Sequence, residues 1–521
     1  MAPTVIHVKT LKDYEQNVVP YYLKDVVSDV VKRKIFKPED VGRLGRSAAQ
    51  VGMGKIKVKT PMSQYIVDFF NKSTIHGLNH IVAPRRHFIE RILTVIFVGT
   101  ALGCLVASSL QYSWFQYQNN PTTIVLDIDY KNFNVTKPAL TICMDDYIST
   151  DKFPDVFKKF GVEDTQEARN FFQFISRPVY STLNETPIYN GTSPNNWLQI
   201  LQDLHIDYEP NQCGLQECTG TYKTLVVTEK GICATLYGAY SNYSSVDYWV
   251  SNNWTIFPQR SLPTYKYARR NDRINIQAIP LPYEASSHCS FQRLDFITTL
   301  ALHYPNDLPQ LNSWWYNFKE VAVVDIRVAV QQTESSDELR QLSKSQRECN
   351  FPEDGELKMW PVYTYNMCIL ECRYNFIKGR CGCYPYFARP MPGVPVCNST
   401  QLHCIGSISD SIISLKSSNQ NLCTCPENCN TARYNNIRTG TAYNIDRVDV
   451  IPVRTVNIDI EFPFIKMRRE VFFGFTEFLV SVGGAAGLFL GASIISFIEI
   501  FYHLTLKLFW YRFHISRNGR Q

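Results

Sequence analysis

Two stretches of the chain lack charge for long enough to cross a bilayer. Ile92 to Leu110 runs for 19 residues and Phe478 to Ile498 for 21, and a hydrocarbon core of about 30 Å takes ~20 residues as a helix. Between them the pattern is that of a folded domain. Thr123 to Asp127, and Ala139 to Cys143 after Pro138, read as strands. Thr165 to Phe174 reads as a short helix, followed by turn-rich and aromatic-rich loops to about residue 310. Val321 to Val330 is β-branched and bounded by polar residues. Val456 to Phe462 alternates apolar and polar positions and is expected to lead directly into the second span. The mixture predicts an α+β domain whose sheet connects to both membrane helices. No internal repeat or long low-complexity segment interrupts it.

The expected organisation is an N-terminal segment over 1–87, a first membrane helix over 88–112 and a cysteine-rich domain over 113–471. A second membrane helix follows over 472–504, with a short tail over 505–521. The second span carries Gly483, Gly487 and Gly491 at i, i+4 spacing, then Ala492 and Ser493. Leucine or valine would insert as well as glycine, so hydrophobicity did not select these residues. Small residues every fourth position permit close helix packing. Followed by a small hydroxyl residue, they also suit backbone carbonyls exposed to a narrow polar passage. Both readings stand at this point.

Charge sets the orientation. Residues 1–91 hold 16 Lys/Arg against 8 Asp/Glu, and residues 499–521 hold 4 against 1. The net charge of +6 is thus +11 at the two ends and −5 between them. Basic residues flanking both spans on their terminal sides place both termini in the cytosol. No signal peptide is recognisable before the first span, which is expected to act as its own insertion signal. The charge is a topology signal, and no nucleic-acid partner is expected.

Residues 113–471 then lie outside the cell. Fifteen of the 16 cysteines fall there, as an oxidising compartment allows. So do six N-x-[ST] acceptors, at Asn134, Asn184, Asn190, Asn242, Asn253 and Asn398. A seventh, Asn71, falls on the cytosolic side and is expected to be silent. Cys368 and Cys372 share a face if helical, and Cys423 and Cys425 share a face if extended. A helix tied twice to an extended segment makes a ladder of disulfides. Zinc is the competing reading, through Cys381 with Cys383 and Cys423 with Cys425, but structural zinc favours C-x₂₋₄-C spacing. Cysteine spacing alone does not fix the connectivity.

Taken in order, these features carry a resemblance. They are His76-Gly77 before the first span, Pro138-Ala-Leu-Thr-Ile-Cys143 after it, and Ser345-Gln-Arg-Glu-Cys349. Cys423-Thr-Cys425-Pro-Glu-Asn-Cys429 and Gly487-Leu-Phe-Leu-Gly491-Ala-Ser493 complete the set. The chain resembles the degenerin/epithelial sodium channel superfamily, most closely the pickpocket branch of arthropods, from His76 to about Tyr502.

That resemblance implies a trimeric, voltage-independent, amiloride-sensitive and sodium-preferring cation channel of the plasma membrane, with sensory expression. Partners would be family subunits, in a homo- or heterotrimer, and the bilayer. Sodium would be the permeant ion, with no cofactor and no metal. The ectodomain would be a hand of palm, finger, knuckle, thumb (about 349–429) and β-ball. Implied disulfides are Cys143–Cys233, Cys213–Cys218, Cys349–Cys429, Cys368–Cys425, Cys372–Cys423, Cys381–Cys404 and Cys383–Cys397. Cys289, and Cys104 in the first span, lie outside these implied bridges. Gly491, Ala492 and Ser493 would form the selectivity filter, and Gly487 would line the amiloride site. Val480 would occupy the position where bulky side chains hold family channels open. His76 and Gly77 would belong to gating. Glu499 matches an acid of the pore helix, and Glu477 is a second candidate; a snorkelling interfacial role is open for both. Two departures stand out: Ser481 replaces an outer-pore aspartate of acid-sensing relatives, and Tyr502 replaces another acid.

A non-conducting accessory or receptor subunit fits the same topology and cysteines. A trimeric ATP-gated channel shares the architecture but lacks the filter and the CTCPENC segment. No nucleophile elbow, H-E-x-x-H or phosphate loop supports an enzyme. The extracellular ligand is not readable from the sequence.

Overall fold

The computed structural model describes residues 61–518, apart from 85, 145–146, 207–211, 214–222, 259–260, 268–272, 281–297, 319–321, 418–419, 422 and 444–452. The expected Cys213–Cys218 bridge and Cys289 therefore lie outside the described residues. The chain divides into two compact units, one reaching Val98 and resuming at Ile494, the other comprising Gly99–Ser493.

The larger unit is organised by a mixed sheet. Its strands run in the order Thr122–Asp127, Lys466–Val471, Ala322–Ser335, Val453–Glu461, Arg273–Pro280 and Gln212–Cys213, with Thr431–Tyr443 also pairing Ala322–Ser335. Thr122–Asp127 and Lys466–Val471 pair antiparallel, Thr122 opposite Val471. The first follows a helix ending at Asn119 and the second precedes one starting at Phe475, so the two membrane helices hang from adjacent strands. One expectation is corrected here. Val453–Glu461 lies inside the sheet, and a separate strand, Lys466–Val471, leads into the second span. Pro463 ends the alternating run, and the next strand is too charged to show an apolar pattern. Its charges are matched locally, Lys466 by Glu334 at 2.6 Å and Arg468 by Glu470 at 3.0 Å.

A second sheet of five antiparallel strands has the order Trp315–Phe318, Thr298–His303, Ala139–Met144, Gly231–Leu236 and Lys223–Thr228. The Cys143–Cys233 disulfide joins its central strand, Ala139–Met144, to the neighbouring Gly231–Leu236. Helices cover the rest around a core containing Trp197, Phe171, Phe172, Trp360 and Tyr374. Among them Gln166–Ile175 starts where Thr165 accepts the Ala168 N–H at 3.2 Å, a hydroxyl cap of the usual kind.

The helix Tyr365–Cys381 begins at a Thr364 cap and ends at Gly382, in the left-handed region at φ 74°. Its i, i+4 pair is bridged as Cys368–Cys425 and Cys372–Cys423, and Cys349–Cys429, Cys381–Cys404 and Cys383–Cys397 brace its surroundings. The cysteines considered as zinc pairs are thus all taken by separate disulfides. Inside this helix, Arg373 is fully buried against the fully buried Glu229. Glu229 also accepts the Tyr180 hydroxyl and the Leu311 N–H, both at 2.8 Å. Arg373 donates to the Ile412 carbonyl at 3.2 Å. One ion pair therefore ties together a hairpin turn, a loop and the disulfide-braced helix.

A second buried acid sits at the start of the same helix. Asp307 accepts the Thr364 hydroxyl at 2.6 Å, the Leu308 N–H at 2.8 Å and the Asn428 amide at 3.4 Å. Burial nevertheless pushes its carboxyl up to about 7, and burial holds the nearby His303 at about 4. Asp307 thus keeps its proton in the folded state at pH values where the unfolded chain has lost it. Its stabilising contribution is complete below the ordinary carboxylate value near 3.8 and disappears as pH rises through about 7. His303, held below its ordinary value, works in the opposite sense and stabilises more as pH rises from about 4 to 6.5. The readout is therefore the difference: between about pH 4 and 7 the melting temperature of the detergent-solubilised wild type should fall relative to that of Asp307→Asn.

Candidate pore site

The second span is not one helix. Its outer part, Phe475–Leu490, ends at Gly491, which adopts φ 58°. There the Gly491 N–H donates to Gly487 O at 3.0 Å and the Ala492 N–H to Ala486 O at 3.2 Å. The bond from the left-handed Gly491 to the carbonyl four residues back is an αL helix closure. A new helix begins only at Ile494. The uninterrupted 21-residue helix expected from the charge-free run is therefore corrected: hydrophobicity is continuous across it, and backbone geometry is not. Gly491, Ala492 and Ser493 are the three residues outside helix.

On the outer helix, Val480 is 69% exposed. Gly483, Gly484 and Gly487 are exposed too. A Cβ at Gly483 or Gly484 would meet nothing within 4 Å, and one at Gly487 only Ala492 O at 3.8 Å. One face of this helix is thus narrow and uncovered in the single chain. The opposite face packs on the first membrane helix. Ser481 Oγ hydrogen-bonds Ser113 Oγ at 2.8 Å, and Trp114 and Tyr117 pack on Phe478 with ring centroids 5.6 and 5.8 Å away. Ser481 is engaged with its own chain. Glu477 turns back to accept the Gly474 N–H at 2.9 Å, so its carboxylate caps the helix, where the dipole favours negative charge.

The first membrane helix is continuous from Phe88 to Asn119, with a π-helical stretch at Leu105–Leu110. At 1.5 Å per residue it is ~48 Å long and continues as helix past residue 112. Cys104 lies exposed along it.

In the smaller unit, a helix at Pro61–Lys72 packs on the inner part of the second span, whose helix continues to Asn518. Ser496, Glu499, His503 and Lys507 follow one another at spacings of three and four, a polar line on an apolar helix. Each meets the N-terminal segment. Thr74 Oγ1 lies 2.8 Å from Ser496 Oγ and 2.9 Å from Glu499 Oε2. The Tyr65 hydroxyl donates to the His503 carbonyl at 2.5 Å, and Lys507 pairs with Asp68 at 3.4 Å. Thr74 belongs to the polar pair that leads into His76-Gly77, and no motif marks Tyr65, Asp68 or Ser496. The signal was the spacing of those four polar residues in an otherwise apolar run.

Gly77 sits at φ 90°, and a Cβ there would come within 2.7 Å of Val98 Cγ2. Both constraints demand glycine. His76, beside it, is exposed. Of the glycosylation candidates, Asn134, Asn184, Asn190 and Asn398 are exposed, and Asn242 and Asn253 half-buried. Among the described residues no group of His, Cys, Asp and Glu is placed to hold a metal ion.

Comparison with known proteins decides the family. The model of the amiloride-sensitive sodium channel family matches residues 69–503. The chain belongs to that family. Pickpocket protein 28 of Drosophila melanogaster is 23% identical over 86% of this chain and 79% of its own length. The bile acid-sensitive ion channel of Homo sapiens is 22% identical over 87% and 88%. Sodium channel protein Nach of Drosophila melanogaster is 20% identical over 85% and 87%. The family is one of cation channels of the plasma membrane with two membrane helices and a disulfide-rich extracellular domain, built as multimers of family subunits. The ATP-gated alternative is set aside by this match.

Proposed function

We propose that the chain is a pore-forming subunit of a sodium-preferring, amiloride-sensitive channel, with Gly491–Ser493 as its selectivity filter. The observation carrying this reading is the helix break at those three residues. Carbonyls of a terminated helix lose their intrahelical partners, and non-helical backbone at membrane depth is tolerated where it is buried in protein or lines a water-filled cavity. Several copies around an axis would bring these carbonyls and the Ser493 hydroxyls together, to replace part of a sodium ion's hydration shell. Val480 and Gly487, on the same uncovered face, would line the approach to the filter, with Gly487 leaving space for amiloride. Glu499, held by Thr74, supplies the acid on the inner side. Both termini would then be cytosolic, and subunits would assemble as a homo- or heterotrimer.

In a Val480→Phe background, replacing external sodium by potassium should move the reversal potential to more negative values. Ser493→Gly should reduce that shift. An unchanged shift would remove Ser493 from the filter.

A second reading, an accessory subunit, is favoured by one feature. Ser481 stands at the outer-pore position and is committed to Ser113, which leaves the outer pore without the aspartate of acid-sensing relatives. Co-expression with a second family subunit separates the readings, since an accessory chain gives current only in company.

A further inference from the structure

An open groove of about 670 Å³ lies at the base of the braced helix. One wall is apolar: Leu357, Pro426, the Cys368–Cys425 bridge and Tyr363, whose hydroxyl is already donated to the Pro426 carbonyl at 2.7 Å. The rest of the lining is polar and charged. Lys344 is spent on Glu356 and on the Asp354 carbonyl at 3.0 Å. Glu348 carries no ion pair among the described residues, and its side chain is exposed. The groove therefore combines an apolar lining with one carboxylate that has no ion pair among the described residues.

Glu348 is also held where a glutamate is costly. It directly follows the short helix Lys344–Arg347 at φ 53°, in the left-handed region that a residue with a Cβ rarely adopts. Glycine would occupy that position without strain. The helix it ends grips the first membrane helix, because the buried Gln346 side chain donates to Tyr117 O at 2.9 Å. The groove, lined by Lys344 and Ser345 of that short helix, thus adjoins the joint between the extracellular domain and the first membrane helix.

We propose that this groove binds a small organic cation, an ammonium group on a flat apolar body, with Glu348 as its counter-ion. The ring would lie against Tyr363, Leu357 and Pro426, and the ammonium would reach the Glu348 carboxylate. Binding there biases the Gln346–Tyr117 joint, and through it the channel. The binding claim does not depend on whether the pore conducts.

The test uses the purified full chain in detergent, with phenethylammonium as the probe and thermal stabilisation as the readout. The probe should raise the melting temperature, and 3-phenylpropionate, of similar shape and opposite charge, should not. Glu348→Gln should raise the half-maximal concentration about tenfold or more, the usual weight of a charge-assisted contact. Glu348→Gly separates binding from folding. It relieves the left-handed strain, so its ligand-free melting temperature should be at least that of the wild type, while the probe response disappears. An undiminished response in both variants, equal stabilisation by the anion, or no stabilisation of the wild type at millimolar probe would each overturn the proposal.

Discussion

An Arg373→Leu chain will fail to reach the cell surface. The substitution leaves Glu229 fully buried, still accepting the Tyr180 hydroxyl and the Leu311 N–H but without its cation. Removing one partner of a buried pair costs about 3–5 kcal/mol, a large share of the ~5–15 kcal/mol that holds a domain together. The disulfides do not compensate, because they restrain the unfolded chain rather than neutralise the stranded carboxylate. Surface biotinylation measures the outcome. The double variant Glu229→Gln/Arg373→Met, which removes both charges, should recover most of the lost surface protein. A single variant that traffics normally would show that the pair does not link the hairpin to the braced helix.

Gly491→Val should abolish current while leaving surface delivery intact. Glycine is required there by φ 58° at the helix closure. A β-branched side chain in that region is an outlier, costing at least the ~1–2 kcal/mol of any left-handed L-residue. A penalty of that size shifts the closure by about tenfold or more, either straightening the span through the filter or deforming it. Surface delivery should survive, because valine suits the bilayer as well as glycine does. Gly491→Ala, without the branch, should retain a measurable fraction of the current. Equal currents in wild type and Gly491→Val would mean that the break is incidental to conduction.

The two spans were legible because charge-free length is a one-dimensional property, and so was the two-rung ladder, since Cys368/Cys372 and Cys423/Cys425 carry the helical and extended periods. The break was not legible from hydrophobicity, which runs evenly from Phe478 to Ile498; it depends on the left-handed turn at Gly491. The strand Lys466–Val471 was missed because KMRREV has no apolar face, and its charges are matched by Glu334 and Glu470. The contact of the N-terminal segment with the inner span was missed for a different reason. Tyr65 and Asp68 become meaningful only once His503 and Lys507 are known to face them, and that pairing joins residues more than 400 positions apart. The Glu229–Arg373 pair is hidden in the same way, since neither residue has a local pattern that marks it as buried.

The most direct measurement is whole-cell current from cells expressing the Val480→Phe chain alone, with external sodium exchanged for N-methyl-D-glucammonium. An amiloride-sensitive inward current should appear, vanish on exchange and return with sodium. Silence despite surface protein confirmed by biotinylation would contradict it, and would make this chain a subunit whose pore is supplied by a partner.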